Sequence, residues 1–178
     1  MKYFDEIKRS MEYLSTKNDV VFLGQAVKVP GTAMRNTLVD VNDDKLLELP
    51  VAEEMQMGMA IGMSLNGIVP ICIYPRWNFL LLAINQLVNH LDKLNEISDG
   101  KIISKVIIRT AIGSIRPLDP QAQHSGDFTS SVKSMCNNIN VVNISNTEDI
   151  YEAYKFAYSR TDNVSSLIVE TADFYNEK

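Results

Sequence analysis

The sequence predicts an α/β protein: a doubly wound, mostly parallel sheet with helices on both faces. Two observations carry this. Short apolar runs alternate with segments of helical periodicity along the whole chain, the pattern of successive parallel β-α-β units. And 178 residues, 46% of them hydrophobic, suffice for one domain with a real core. The right-handed crossover rule then places helices on both sheet faces.

The elements follow in order. Phe4, Ile7, Met11 and Leu14 recur at helical spacing, so residues 3–17 read as an amphipathic helix. Val20 to Leu23 reads as a short buried strand ended by Gly24. Residues 25–50 are polar and irregular, with turn residues at Pro30-Gly31 and Asn42-Asp43-Asp44; a connection this long is more often functional than idle. Residues 53–66 read as a helix stopped by Asn66-Gly67. Val69 to Tyr74 is a strand, Asn78 to Leu94 a long apolar helix, and Lys105 to Arg109 a third strand. A second long loop, 110–127, carries Gly113, Pro117, Pro120 and Gly126. Residues 128–136 are a helix and 140–144 a strand. Ser145-x-x-Glu148 has the form of a capping box opening a helix over 147–159, and Ser166 to Glu170 is the last strand. Ligands of such sheets sit at the carboxyl ends of the strands. The loops after the first and third strands and the turn Tyr74-Pro-Arg-Trp77 lie on that edge.

Composition excludes several functions. Lys plus Arg is 17 against 22 Asp plus Glu, a net charge of −5. No basic surplus exists to hold nucleic acid or anionic lipid. The two cysteines, Cys72 and Cys136, are far apart, which argues against a zinc site or disulfide framework and points to a reducing, cytoplasmic setting. The N-terminal residues mix both charge signs and lack an apolar signal core. The most apolar stretch, Ile68 to Val88, contains Pro70, Pro75, Arg76, Asn78 and Asn85, so it is not a membrane span.

No GxGxxG, GxxxxGK[ST] or GxSxG is present. The two histidines and two cysteines lack metal-ligand spacing, so no metal ligands are assigned. His90 lies inside the long helix and reads as a surface or packed residue. Glu53-Glu54 opens a helix that is otherwise almost uncharged. Adjacent helical positions diverge by about 100°, so the two carboxylates do not face one another. The helix dipole accounts for Glu54 and leaves Glu53 a candidate functional acid. Gly58-x-x-x-Gly62 lies one turn on, among Met55, Met57, Met59 and Met63. Each interior glycine costs a helix about 1 kcal/mol, so the pair implies close backbone approach at a helix–helix or subunit interface. His124 sits on a Pro- and Gly-containing loop at the ligand edge, and Asp127 is placed to cap the next helix.

Taken in order, these pieces resemble the pyrimidine-binding domain of thiamine-diphosphate enzymes, first the beta subunits of 2-oxo-acid dehydrogenases and then the central domain of transketolase. Leu49-Pro-Val-Ala-Glu53 resembles the family's "TPITE", and Gly58, Gly62 and Gly67 follow at the family's spacing. The strand Pro70 to Tyr74 comes next, then an aromatic at Trp77. Ala83-Ile-Asn-Gln86-Leu-Val-Asn89 resembles "AIDQVIN", Gln123-His124-Ser125 resembles "QHSQ", and Asp173-Phe-Tyr175 sits where such domains end.

The resemblance implies that Glu53 hydrogen-bonds the aminopyrimidine of thiamine diphosphate and favours its imino tautomer. A carboxylate in an apolar helix mouth is suited to share that proton. It implies that Trp77 stacks on the pyrimidine, that Gln86 lies among the cofactor contacts, and that His124 moves protons at the substrate carbonyl. Three departures stand out: Asn85 where the family has Asp, Trp77 where it has Phe or Tyr, and Asp127 where an acid is unusual. With Arg116, Asp127 suggests a substrate contact and a substrate other than that of the dehydrogenases. The family holds the diphosphate and Mg²⁺ through a GDG…N motif of a second domain; here the only Asp-Gly is Asp99-Gly100, with no Asn at the usual distance.

The expectation is therefore a single pyrimidine-binding domain over 1–178, without a diphosphate-binding or C-terminal transketolase-type domain. It would be half of a split enzyme, pairing with a separate alpha subunit that holds most of the Mg²⁺ site, in a heterotetramer of two alpha and two beta subunits. Transketolase-like transfer of a two-carbon or acyl unit on a small-molecule substrate is the leading reading. A 2-oxo-acid dehydrogenase or decarboxylase/carboligase subunit, a non-catalytic assembly homologue, and a generic α/β binding protein are the alternatives.

Overall fold

The computed structural model describes residues 1–30, 32–102, 104–115, 119–162 and 164–176. Six strands form one all-parallel sheet: β1 (Val20–Gly24), β2 (Leu46–Glu48), β3 (Val69–Ile73), β4 (Ile107–Ile112), β5 (Ile139–Ile144) and β6 (Ser165–Thr171), in the order β2-β1-β3-β4-β6-β5. The register sets one apolar row across all six strands: Leu47, Leu23, Cys72, Ile108, Leu167 and Val141. Because side chains alternate along a strand, the neighbouring row, Leu46, Phe22, Ile71 and Ile107, faces the other way. Strands buried on both faces read as short continuous apolar runs, the signal visible in the sequence.

Each row has its own helical layer. On one side lie α1 (Tyr3–Ser15), α7 (Thr147–Ser159) and the short α2 (Ala33–Asn36), packed on Phe22, Ile71, Ile107 and Ile168. On the other lie α3 (Glu53–Ser64), the helical segment that begins with α4 (Trp77–Leu80) and ends with α5 (Leu94–Ile97), and α6 (Thr129–Met135), packed on Leu23, Cys72, Ile108 and Leu167. The sheet is doubly wound as expected. No helix among the described residues is long and apolar enough to cross a membrane.

Four departures have physical causes. The loop 25–50 contains the edge strand β2, only three residues long, too short for a periodicity signal. The long helix is broken: α4 passes through a 3₁₀ turn at Leu81–Ala83 and a π-helical turn at Gln86–Leu91. Its buried residues Trp77, Leu80 and Ala83 are spaced by three, then Leu87 and Leu91 by four, and the backbone changes pitch to keep them on one face. Strand β4 runs to Ile112 rather than ending at Arg109, because Glu170 of β6 neutralises Arg109 inside the sheet layer. The expected capping box is not formed: Asn146 is the N-cap of α7, and its amide bonds Asp149.

Candidate functional site

The carboxyl ends of β1, β3 and β4 converge on the exit turn of β3, residues 74–79, and both sequence-predicted chemical groups are fastened to it. Tyr74 donates its hydroxyl to the backbone carbonyl of Glu53 at 3.0 Å, fixing the start of α3 over the end of β3. Gln56, one turn later, donates to the Ile73 carbonyl at 2.8 Å. A Cβ at Gly24 would lie 2.5 Å from that same Ile73 carbonyl oxygen, so only glycine lets β1 and β3 end this close together.

Glu53 is the first residue of α3 and is 6% exposed. The helix N-terminus favours its negative charge. Its carboxylate makes no hydrogen bond to the described residues, and its oxygens keep some accessible surface at the helix mouth. Glu54 points outward and accepts from Asn85 at 3.4 Å and Gln86 at 3.3 Å. Gln86, expected among the cofactor contacts, is thus bonded to the neighbour of Glu53. Burial pushes the Tyr74 hydroxyl pKa up, with Cys72 and Glu53 adding to it, so Tyr74 stays a neutral donor. Burial likewise pushes the Cys72 thiol up to about 11 and the Cys136 thiol up to about 11, so neither is a nucleophile near neutral pH.

The second group is His124. Its ring lies against Phe79, with centroids 5.0 Å apart. Its Nδ1 is buried and has no hydrogen-bond partner among the described residues. Buried polar atoms are nearly always satisfied, and an orphan on a ligand-edge loop marks a group held for something outside the fold. The loop that carries His124 is pinned at several points. Arg76 Nη1 donates to the carbonyls of Gly113 at 3.0 Å and of Ser114 and His124 at 3.4 Å. Asp173 accepts from the Ile115 amide at 2.9 Å. Gly113 has φ +82°, and a Cβ there would lie 2.8 Å from Asp173 Oδ2; the loop needs glycine on both counts.

Trp77 requires a correction. It has no accessible surface; its indole N–H donates to Thr129 Oγ1 at 3.2 Å and its ring packs edge-on against Phe128. Both ring faces are inside the core, so Trp77 offers no platform for a planar ligand. The half-exposed aromatic on this turn is Phe79, whose signal was hidden in the apolar run of the long helix. Asp127 Oδ1 accepts from the amide and the hydroxyl of Thr129, at 2.9 and 2.5 Å. It holds the first residue of α6 from the position before the N-cap, Phe128, rather than being the N-cap expected or presenting that oxygen to a substrate. Arg116 lies outside the described residues.

A family comparison fits this arrangement. The model for "Transketolase, pyrimidine binding domain" matches residues 8–176. The chain belongs to the transketolase pyrimidine-binding family. A pyruvate dehydrogenase E1 component subunit beta from Chaetosphaeridium globosum is 33% identical over 74% of the chain and 38% of its own length. The mitochondrial E1 beta subunit of Homo sapiens is 27% identical over 96% of the chain and 47% of its own length. A solved structure titled "Split gene transketolase, inactive beta4 tetramer" superposes with a TM-score of 0.70 at 15% identity, covering 97% of this chain and 51% of that one. The pyrimidine-binding chain thus spans about half or less of these relatives.

The residues at the strand ends fit a bound aminopyrimidine. Glu53, at the α3 N-terminus, offers a carboxyl group without a hydrogen-bond partner among the described residues, and Phe79, on the exit of β3, offers a partly exposed ring. Among the described residues no cluster of His, Cys, Asp and Glu could hold a metal ion.

Proposed function

We propose that this chain is the pyrimidine-binding subunit of a split, thiamine-diphosphate-dependent enzyme of the transketolase-like class, acting on a bond beside a carbonyl. The observation that carries the reading is Glu53: a largely buried residue at a helix mouth whose carboxylate oxygens find no partner among the described residues and stay open to a ligand. When bound, the cofactor supplies a thiazolium carbon that becomes nucleophilic on losing a proton. Glu53 holds a proton between its carboxyl oxygen and a pyrimidine ring nitrogen. Phe79 covers the ring and excludes water. His124 moves a proton at the substrate oxygen. In this reading a separate alpha subunit holds the diphosphate and Mg²⁺. Two alpha and two beta chains would form the assembly.

The 33% identity to a pyruvate dehydrogenase beta subunit favours a second reading, decarboxylation of a 2-oxo acid followed by acyl transfer. Assaying the reconstituted complex with a 2-oxo acid and with a ketol donor separates the two. The primary test is calorimetric. The chain alone is expected to bind thiamine diphosphate weakly or not at all, and addition of the alpha subunit and Mg²⁺ to create tight binding. Tight, Mg²⁺-dependent binding by the isolated chain would refute the split site.

The outer face of α3 supports assembly through this helix. Met55, Gly58, Gly62 and Leu65 share that face, and Met55, Gly62 and Leu65 are exposed. A Cβ at Gly62 would meet nothing within 4 Å, and one at Gly58 would meet only Gln86 Oε1, at 4.0 Å. Two helix-breaking residues without internal packing need are accounted for by another subunit's backbone crossing there. Gly58→Leu should leave the chain folded and break the oligomer by light scattering; an intact oligomer places the interface elsewhere.

A further inference from the structure

The residue that stands out beyond this reading is Arg76, which is half-buried and pairs with no carboxylate among the described residues. Cations this close to a sheet edge are ordinarily solvated or ion-paired. Here one guanidinium nitrogen instead collects three backbone carbonyls, two at the exit of β4 and the third that of His124 itself. The three contacts bridge the ends of the intervening loop, from Gly113 to His124. The Gly113 bond is the short one and the other two are long, so the nitrogen sits among the three oxygens as a shared hub.

We propose that Arg76 is a positioning residue for His124, setting where the imidazole stands at the strand ends by holding the carbonyl of His124 to the exit of β3. The inference rests on the role given to His124 in the proposed function. The imidazole has little else to orient it. Its Nδ1 makes no hydrogen bond to the described residues, so the usual device for fixing a histidine is missing. What remains is the Phe79 ring contact and the position of its own backbone. Phe79 and Arg76 both belong to the turn that leaves β3. The same turn carries Trp77, whose indole reaches Thr129 and through it Asp127, three residues after His124. The exit of β3 therefore clamps the histidine segment from two sides, and Arg76 is the side that touches His124. Arginine suits the task because its planar fork fans several donors in fixed directions, which a lysine ammonium does not.

The sequence contains two histidines, His90 and His124, so their imidazole resonances can be resolved by NMR in the full chain and assigned with His124→Asn. His90 lies on the exposed side of the π-helical turn and serves as the fold control. In Arg76→Ala, the His124 ring protons should lose the ring-current displacement imposed by Phe79 and move toward the free-histidine position, while His90 stays put. Millimolar guanidinium should restore them in part. In the reconstituted complex, turnover should fall roughly 10²-fold at little change in KM, the effect expected of a misplaced catalytic group. Unmoved His124 resonances in Arg76→Ala would overturn the proposal. If Arg76→Ala does not fold, Arg76→Lys decides: displaced His124 resonances support the proposal and parental ones overturn it. The role of His124 fails separately, if the complex carrying His124→Asn turns over at the parental rate; the resonance shifts in Arg76→Ala still report on positioning.

Discussion

Glu170→Ala is expected to destabilise the domain by about 3–5 kcal/mol, the cost of leaving a buried charge unpaired. Arg109 and Glu170 are both fully buried and form a two-point pair, Nε to Oε1 at 2.5 Å and Nη2 to Oε2 at 2.9 Å. Thr37 accepts a further bond from Arg109 at 2.8 Å, and the hydroxyls of Tyr154 and Tyr175 both donate to Glu170. Burial alone would lower the guanidinium pKa; Glu170 and the two tyrosines outweigh it and hold it well above the ordinary range. Burial, reinforced by Glu170, pushes both tyrosine hydroxyls up, so they remain neutral donors. Removing the carboxylate strands one cation and two hydroxyls at once. In urea titrations the midpoint should fall with the slope unchanged, the mark of lost stability rather than altered unfolding. Replacing Arg109 and Glu170 together by Met and Leu should recover the part of the loss due to the stranded cation, while the hydroxyls of Tyr154 and Tyr175 remain without their acceptor. If Glu170→Ala unfolds at the parental midpoint, the network does not hold β4 to β6.

Glu53→Gln is expected to lower turnover of the reconstituted complex by roughly 10²-fold or more, the range for removing an acid–base group. The substitution keeps the size of the side chain. It also spares the bond from Tyr74, which ends on the Glu53 main-chain carbonyl and not on the carboxyl, so α3 stays seated over β3. What disappears is the ability to exchange a proton with a ring nitrogen. Glu54→Gln is the internal control. Glu54 is exposed, and its Oε1 only accepts from Asn85 and Gln86, a task a glutamine carbonyl performs equally well. It should cost little.

The sheet was legible because its inner strands are buried on both faces and read as apolar runs, and because the intervening helices keep a distinct period. Where a run was interrupted by a residue with a distant partner, the boundary was lost. Arg109 looked like a strand end only because Glu170 lies 61 positions away in sequence. In the site, Glu53 was legible as a lone acid opening an apolar helix, and His124 as a histidine on a glycine-containing loop. Trp77 was expected as the aromatic platform, but it is fully buried, and the partly exposed ring of the same run is Phe79. Both stand in one apolar run, and which of them is walled in by Phe128 and Thr129 depends on α6, some fifty residues later. Arg76 was invisible as a positioning group because its partners are main-chain carbonyls, which every residue has and no side-chain pattern can signal.

The central claim is that Glu53, and not its neighbour, activates the cofactor. Hydrogen–deuterium exchange at the thiazolium carbon of thiamine diphosphate, measured in the reconstituted complex, isolates that step from substrate binding and product release. The account predicts fast exchange in the parent and in Glu54→Gln, and exchange slowed roughly 10²-fold in Glu53→Gln. Parental exchange in Glu53→Gln, or slow exchange in Glu54→Gln, would contradict it.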